Sequence, residues 1–403
     1  MRVLAPGRRE ARRQHVLRVA VAGSTLAGFL AGTGPAGADT VSVACGGPGG
    51  GAAGLVDAIS QANGRAGPDT IDLTAGCTYV LTSAVSADNG LPVVTGQLTV
   101  RGHGATVKRG AAAAFRILEV APGAEVALDQ IAVVGGLVSL SGPTAFGGGI
   151  LNGGTLTVTR SEIRDNEVKG TGSSAGGGGI ANNGTATLDD TVLRGNRASA
   201  TGTAIFAAVG GAVLNRDAGT MTITGGAVLD GTAVSRGSSP FIFIASAGGV
   251  GNSGAITVSD TRIAGNRAAA VGLRGQAGGG GMSVANGTVT LTGSAVHGNT
   301  AFATGEGAAA HGGGLENSGQ TKLVATPVRD NRVSGPVAQG GGIFNVRNRL
   351  VILDGKVTGN VANAESGPGQ GGGIYAEAGL VVLRRTDVFA NQPDDCVPAI
   401  PGC

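Results

Sequence analysis

The chain reads as an all-β protein, a right-handed parallel β-helix closed at its N-terminal end by a short capping helix. Three observations predict this fold. An ungapped 13-residue block recurs eight times, first as Gly154 to Asn166 (GTLTVTRSEIRDN), then ending at Asn196, Gly231, Asn266, Asn299, Asn331, Asn360 and Asn391. A unit recurring at roughly 30 residues marks a solenoid, in which one rung buries its apolar face only when the next stacks on it. Within the block the third, fifth and tenth positions are almost wholly apolar; the fifth reads Val158, Leu188, Ile223, Val258, Leu291, Leu323, Ile352, Leu383. Positions two apart share a strand face, so stacked rungs turn each position into an interior column. Finally, glycine is 78 of 403 residues, aromatics are 3% and Trp is absent, yet 41% of the chain is hydrophobic. That excludes a charged disordered chain and, lacking a three-residue period, collagen. Small apolar side chains must build a long, narrow core.

Taken in order, residues 1–38 read as a secretory signal. Six arginines (Arg2, Arg8, Arg9, Arg12, Arg13, Arg18) precede the apolar stretch Val19 to Ala31 and the small-residue site Ala36-Gly37-Ala38. That stretch is short for a bilayer span. Arg12-Arg13-Gln14-His15-Val16 is similar to a twin-arginine export motif, and general secretion serves equally. With one acid, Glu10, the segment carries a net +5, so the net charge of +3 becomes −2 in the mature chain. A basic nucleic-acid footprint disappears with it. The expected product is secreted or displayed on a bacterial surface, with no integral membrane segment after signal removal.

Residues 39–96 form the N-terminal cap module and first rungs. Leu55, Val56, Ile59 and Ala62 share a helical face, predicting a helix over 53–63 that covers the open strand edges of the first rung. Irregular early rungs follow at roughly 68–82, 95–108 and 115–136. The β-helix proper spans 97–392, regular from about 147, and 393–403 is a C-terminal disulfide cap. Four cysteines in an exported chain allow three pairings. The local pairs Cys45–Cys77 and Cys396–Cys403 would staple the two ends. No Cys-x-x-Cys or His spacing accompanies them, so metal binding is not expected.

Inside the block, the eighth position is small throughout (Ser161, Thr191, Gly226, Thr261, Ser294, Thr326, Gly355, Thr386), suiting a corner. The closing residues Asn166, Asn196, Asn266, Asn299, Asn331, Asn360 and Asn391 are expected to form a structural ladder at a second corner, adopting left-handed backbone there and bonding rung to rung. Ahead of each block lies a Gly run ending in an apolar residue, as in Gly177-Gly178-Gly179-Ile180. No Lys-Ser/Thr or strand-to-helix context follows, so these are not phosphate loops. The Asp of calcium-binding nonapeptides is also missing.

The alternation of Gly-Gly-x-Ile with apolar-x-x-Asn (Ile163 to Asn166, Ile263 to Asn266, Val328 to Asn331) looks like the repeats of polymorphic outer-membrane proteins, with Ile, Leu or Val in place of the usual aromatic. Those are right-handed parallel β-helices of the pectin-lyase-like superfamily. Leu55-Val56-Asp57-Ala58-Ile59, Gln61-Ala62-Asn63, Asp69-Thr70-Ile71 and Thr78-Tyr79-Val80-Leu81-Thr82 resemble the N-terminal module of CSLREC-domain proteins, without that family's charged core. Together the resemblances cover nearly all of the mature chain. They imply the fold and are nearly silent on activity.

A reaction requires clustered acids with a base or cation on one outer face. Only one rung offers paired acids, Asp189 and Asp190, as weak catalytic candidates. Gly102-His103-Gly104 is similar to a glycosidase motif but lacks its partners, and His297 and His311 are isolated. Arg164 and Arg194 share the eleventh position on successive rungs, where an anion could sit. Thr157, Thr187, Thr222, Thr257 and Thr290 form an outward column. Chain-length variation concentrates between each closing Asn and the next Gly run, 12–19 residues, and marks one side of the rod as the candidate binding face. Its aromatic loops hold Phe206, Phe241 and Phe243. The expectation is a non-catalytic adhesion, scaffold or glycan-binding rod without cofactor, whose partner is a polysaccharide or cell-envelope surface. A polysaccharide lyase or glycoside hydrolase acting in a loop-lined groove is the alternative, and a self-assembling rod the third.

Overall fold

Every strand ladder that repeats from rung to rung is parallel and in register, as a solenoid requires. The computed structural model describes residues 38–238 and 241–403; residues 1–37 of the expected signal segment 1–38 lie outside them. Strands stack into four sheets of 21, 8, 7 and 10 members. Each rung visits them in turn. Thr155–Thr159 and Glu162–Arg164 lie in the first, bent sheet, followed by Glu167–Thr171, Ala175–Gly176 and Ile180–Asn182 in the second, third and fourth. The rung below repeats the register, Val158 beside Leu188 and Ile163 beside Leu193. The interior columns are sealed: Leu156, Val158, Ile163, Leu188, Leu193 and Val328 are all 0% exposed. One helix, α1 (Gly51–Asn63), buries Leu55, Ala58, Ile59 and Ala62 over the first rung. Cys45 is bonded to Cys77 and Cys396 to Cys403.

Two asparagine ladders run inside the rod. The closing residues link directly: Nδ2 of Asn299 donates to Oδ1 of Asn331 at 3.0 Å, and Nδ2 of Asn331 to Oδ1 of Asn360 at 3.0 Å. At the last rung Asn391 Nδ2 donates to the Asp395 carboxylate at 2.8 Å. Gly231 interrupts the series, and its backbone N–H caps Asn266 Oδ1 instead, at 2.8 Å. The second ladder, Asn152–Asn182–Asn215–Asn252 and Asn317–Asn345, stands where the chain leaves the fourth sheet, with amide-to-amide bonds of 2.7–2.8 Å. Val284 breaks it, which would strand the Asn317 carbonyl. The Thr321 hydroxyl donates to that oxygen at 2.7 Å, which explains a hydroxyl in an otherwise apolar third-position column.

The left-handed corner differs from expectation. The closing Asn residues are not left-handed; the residue before each is, with Asp165 at φ 55°, Gly195 at 61°, Asp230 at 55° and Asp330 at 55°. Turning the chain one residue early aims the Asn amide inward, where it is fully buried. The seventh position is the other left-handed column, with Arg160 at φ 46°, Asp190 at 45°, Gly225 at 66° and Asp260 at 49°. In both columns Asp and Gly tend to alternate, for a steric reason. An Asp carboxylate folds over the next rung, so a Cβ at Gly195 would sit 2.8 Å from Asp165 Oδ1 and one at Gly293 2.5 Å from Asp260 Oδ1. Only glycine leaves that space while also accepting the backbone angle.

Candidate functional site

The bend of the first sheet carries an open trough of about 590 Å³ across successive rungs. Gly104, Gln130, Arg160, Ser161, Glu162, Asp190 and Arg194 line it. It follows the left-handed seventh position, Arg160 and Asp190, with ninth- and eleventh-position side chains Glu162, Val192 and Arg194 along it. Ser161, at the small eighth position, lies at its floor. Ser161 is 6% exposed, its hydroxyl donating to Thr159 O at 2.7 Å and accepting from Ile131 N–H at 3.1 Å.

Most charges here are already matched. Arg160 Nη2 meets Asp129 Oδ1 of the preceding rung at 2.5 Å. Arg164 is held by Glu162 at 3.1 Å and Asp165 at 2.9 Å. The Asp165 hydrogen bond above all, with the Glu162 charge beside it, holds the Arg164 guanidinium above its ordinary pKa. His103, itself left-handed at φ 51°, pairs with Asp72 at 2.8 Å near the head of the same corner. Arg194 lines the trough and forms no ion pair among the described residues. The arginines of the eleventh position are therefore unequal: one is neutralised, its neighbour is open.

The paired acids do not converge. Asp189 ends its strand, beside Thr159 and Thr224 of the adjacent rungs. Asp190 makes the left-handed turn and folds over Gly225. Architecture accounts for Asp190, and no nucleophile with an oriented base assembles around either. His297, in the same column as Arg194, is pushed below its ordinary pKa by burial, with Arg329 and Arg262 adding to the effect. Among the described residues no three His, Cys, Asp or Glu side chains group as a metal site. No described helix is long and apolar enough to cross a membrane.

On the loop side the aromatic reading needs correction. Phe206 and Phe243 are 3% and 0% exposed, with ring centroids 5.3 Å apart. They are core residues, packed with Ala198, Ala200 and Ala233 between the second and third sheets. Phe241 is 51% exposed. Sequence reasoning missed the trough at the bend because it is made by backbone turns. The recurring Asp/Gly choice at positions seven and twelve was the signal available.

No family model matches the chain, and neither does any curated protein. Among solved structures it is similar to the A-module of Azotobacter vinelandii mannuronan C-5 epimerase AlgE4, at 12% identity over 84% of this chain and 94% of that one, with a TM-score of 0.37. The A-module of AlgE6 from the same organism gives 14% identity, 85% and 99% coverage, and a TM-score of 0.37. Pectate lyase Pel9A gives 16% identity, 90% and 82% coverage, and a TM-score of 0.33. The fold assignment rests on this chain's own strand pairings.

Proposed function

We propose that the chain is a secreted, non-catalytic β-helical rod that binds a cell-envelope or extracellular polysaccharide along the bend of its first sheet. One observation carries the reading: an open trough crosses several rungs and presents one unpaired guanidinium, Arg194, beside the hydrogen-bonded Ser161 hydroxyl and the ion-paired Arg160 and Glu162. A trough of that form suits an extended chain more than a single small molecule, and Arg is the side chain best shaped for carboxylate or sulfate groups on it. The Arg-rich leader and the two disulfides support export.

The test is a glycan screen of the mature, disulfide-bonded protein, measuring both retention and turnover. Retention of an acidic glycan that weakens about tenfold in Arg194→Ala, roughly 1.4 kcal/mol, supports the proposal. Glycan cleavage or epimerisation overturns its non-catalytic part. Binding indifferent to Arg194→Glu removes the bend as the site.

A further inference from the structure

A second trough runs between the third and fourth sheets, whose outward side chains face one another across a bend. Toward the C-terminal end it is filled by a ring stack: His311 on Phe344 with centroids 4.4 Å apart, and Phe344 on Tyr375 at 5.4 Å. Midway along, the facing positions shrink to Ser246, Gly251, Gly278 and Ser283, and the filling stops. The result is a cavity of about 310 Å³ lined by Val209, Leu214, Arg216, Asp217, Ser253 and these small residues except Gly278. It falls at the lower end of the ~300–1,000 Å³ range of small-molecule sites.

Glu316 adjoins the cavity through Ser283. Its carboxyl leans back a full rung over Gly278, where a Cβ would collide with Oε2, so glycine is required there for space. Oε2 accepts from the Ser283 hydroxyl at 3.0 Å, and that serine lines the cavity. Among the described residues no Lys or Arg pairs with this carboxyl. His311, on the same rung as Glu316 and in register with Gly278, supplies no charge, since burial lowers its pKa to about 4. Arg216 lies over the Phe146 ring, 4.3 Å from its centroid. Burial raises the Glu316 carboxyl above its ordinary pKa, the Ser283 hydrogen bond opposing. A part-buried carboxyl without a counter-charge is an unfavourable arrangement.

We propose that this cavity binds a small organic ammonium ion of amino-sugar size, its amine seated against Glu316 and Ser283. A protonated amine supplies the missing positive charge and three donors. Asp217 adds a second carboxylate at the rim. Ser246 and Ser253 face the ligand's hydroxyls, and Val209 with Leu214 packs against its apolar face. This site is separate from the bend of the first sheet and does not depend on the function proposed for it.

Calorimetric titration of the mature protein with D-glucosamine, D-glucose and N-acetylglucosamine tests the proposal. Glucosamine should bind at least about tenfold more tightly than either uncharged sugar, and Glu316→Gln should remove that preference. Gly251→Leu, which fills the cavity floor, should abolish binding, with far-UV circular dichroism confirming a folded rod. Equal binding of glucose and glucosamine, no binding of glucosamine, or an unchanged preference in Glu316→Gln overturns it. Should Glu316→Gln not fold, the wild-type comparison of glucosamine with glucose decides, equal affinity overturning the proposal.

Discussion

Replacing Asn331 by Ala removes one link from the longer ladder, and the cost can be worked from its partners. Asn331 Oδ1 accepts from Asn299 N–H at 3.0 Å and Asn299 Nδ2 at 3.0 Å, while its Nδ2 donates to Val296 O at 3.1 Å and Asn360 Oδ1 at 3.0 Å. Not all four partners are stranded. Asn360 Oδ1 still accepts from the Asn331 backbone N–H, and Asn299 Nδ2 still donates to Ile263 O. The Asn299 backbone N–H and one hydrogen of its amide lose their acceptor in a dry interior. At about 1–3 kcal/mol for each unsatisfied buried donor, the two together cost about 2–6 kcal/mol. Equilibrium denaturation of wild type and variant, read by far-UV circular dichroism, measures it. Because rungs couple mainly to their neighbours, hydrogen exchange should accelerate first at Asn299 and around rung 320–331. A loss below about 1 kcal/mol with unchanged exchange at Asn299 would refute the ladder's energetic role.

Three further outcomes follow from particular contacts. Gly225→Ala forces a side chain into left-handed backbone and against Asp190; it should cost about 1–2 kcal/mol for the backbone plus a steric part that a double-mutant cycle with Asp190→Ala recovers. Reducing or replacing the Cys396–Cys403 pair opens a short loop and should cost about 2–3 kcal/mol, with faster exchange at Leu380–Arg384, the exposed edge beneath the cap. The third concerns pH: His311 protonates near 6.5 when unfolded and near 4 when folded, so the unfolded chain binds more protons in that window. Stability should therefore fall on acidification from about pH 6.5 toward 4, and His311→Gln should flatten that slope. Glu316, raised by burial, acts in the opposite sense above its unfolded value of 4.5, so the His311 slope is cleanest in a Glu316→Gln background.

The fold was legible because stacking converts sequence period into columns, and Val158, Leu188, Ile223 and their successors announce an interior face directly. The closing Asn residues were legible as a ladder for the same reason. The second ladder was less so: Asn152, Asn182, Asn215 and Asn252 stand two residues after the Gly-run apolar position, a spacing visible in the sequence but overshadowed by the glycines before it. The left-handed positions were misplaced by one, because propensity places Asn in such turns while the need to bury its amide moves the turn to Asp165 or Gly195. Phe206 and Phe243 sat in segments of variable length and so read as surface. They pack with alanines of neighbouring strands, a contact across sheets that one strand does not reveal. Both troughs depend on which side chains face each other across a bend, and the cavity beside Ser283 exists because of what is missing at Gly251.

The bond from Asn391 to Asp395 has a consequence for how such a rod ends. An amide both accepts and donates, so each Asn relays the pattern to the next rung and leaves a further donor seeking an acceptor. A carboxylate only accepts. Placing Asp395 where another Asn would stand satisfies the last amide and offers nothing onward. The series is thus a sentence with a full stop, written in one functional group, and it reads in a single direction. Repetition supplies growth without limit; the change from amide to acid supplies the length.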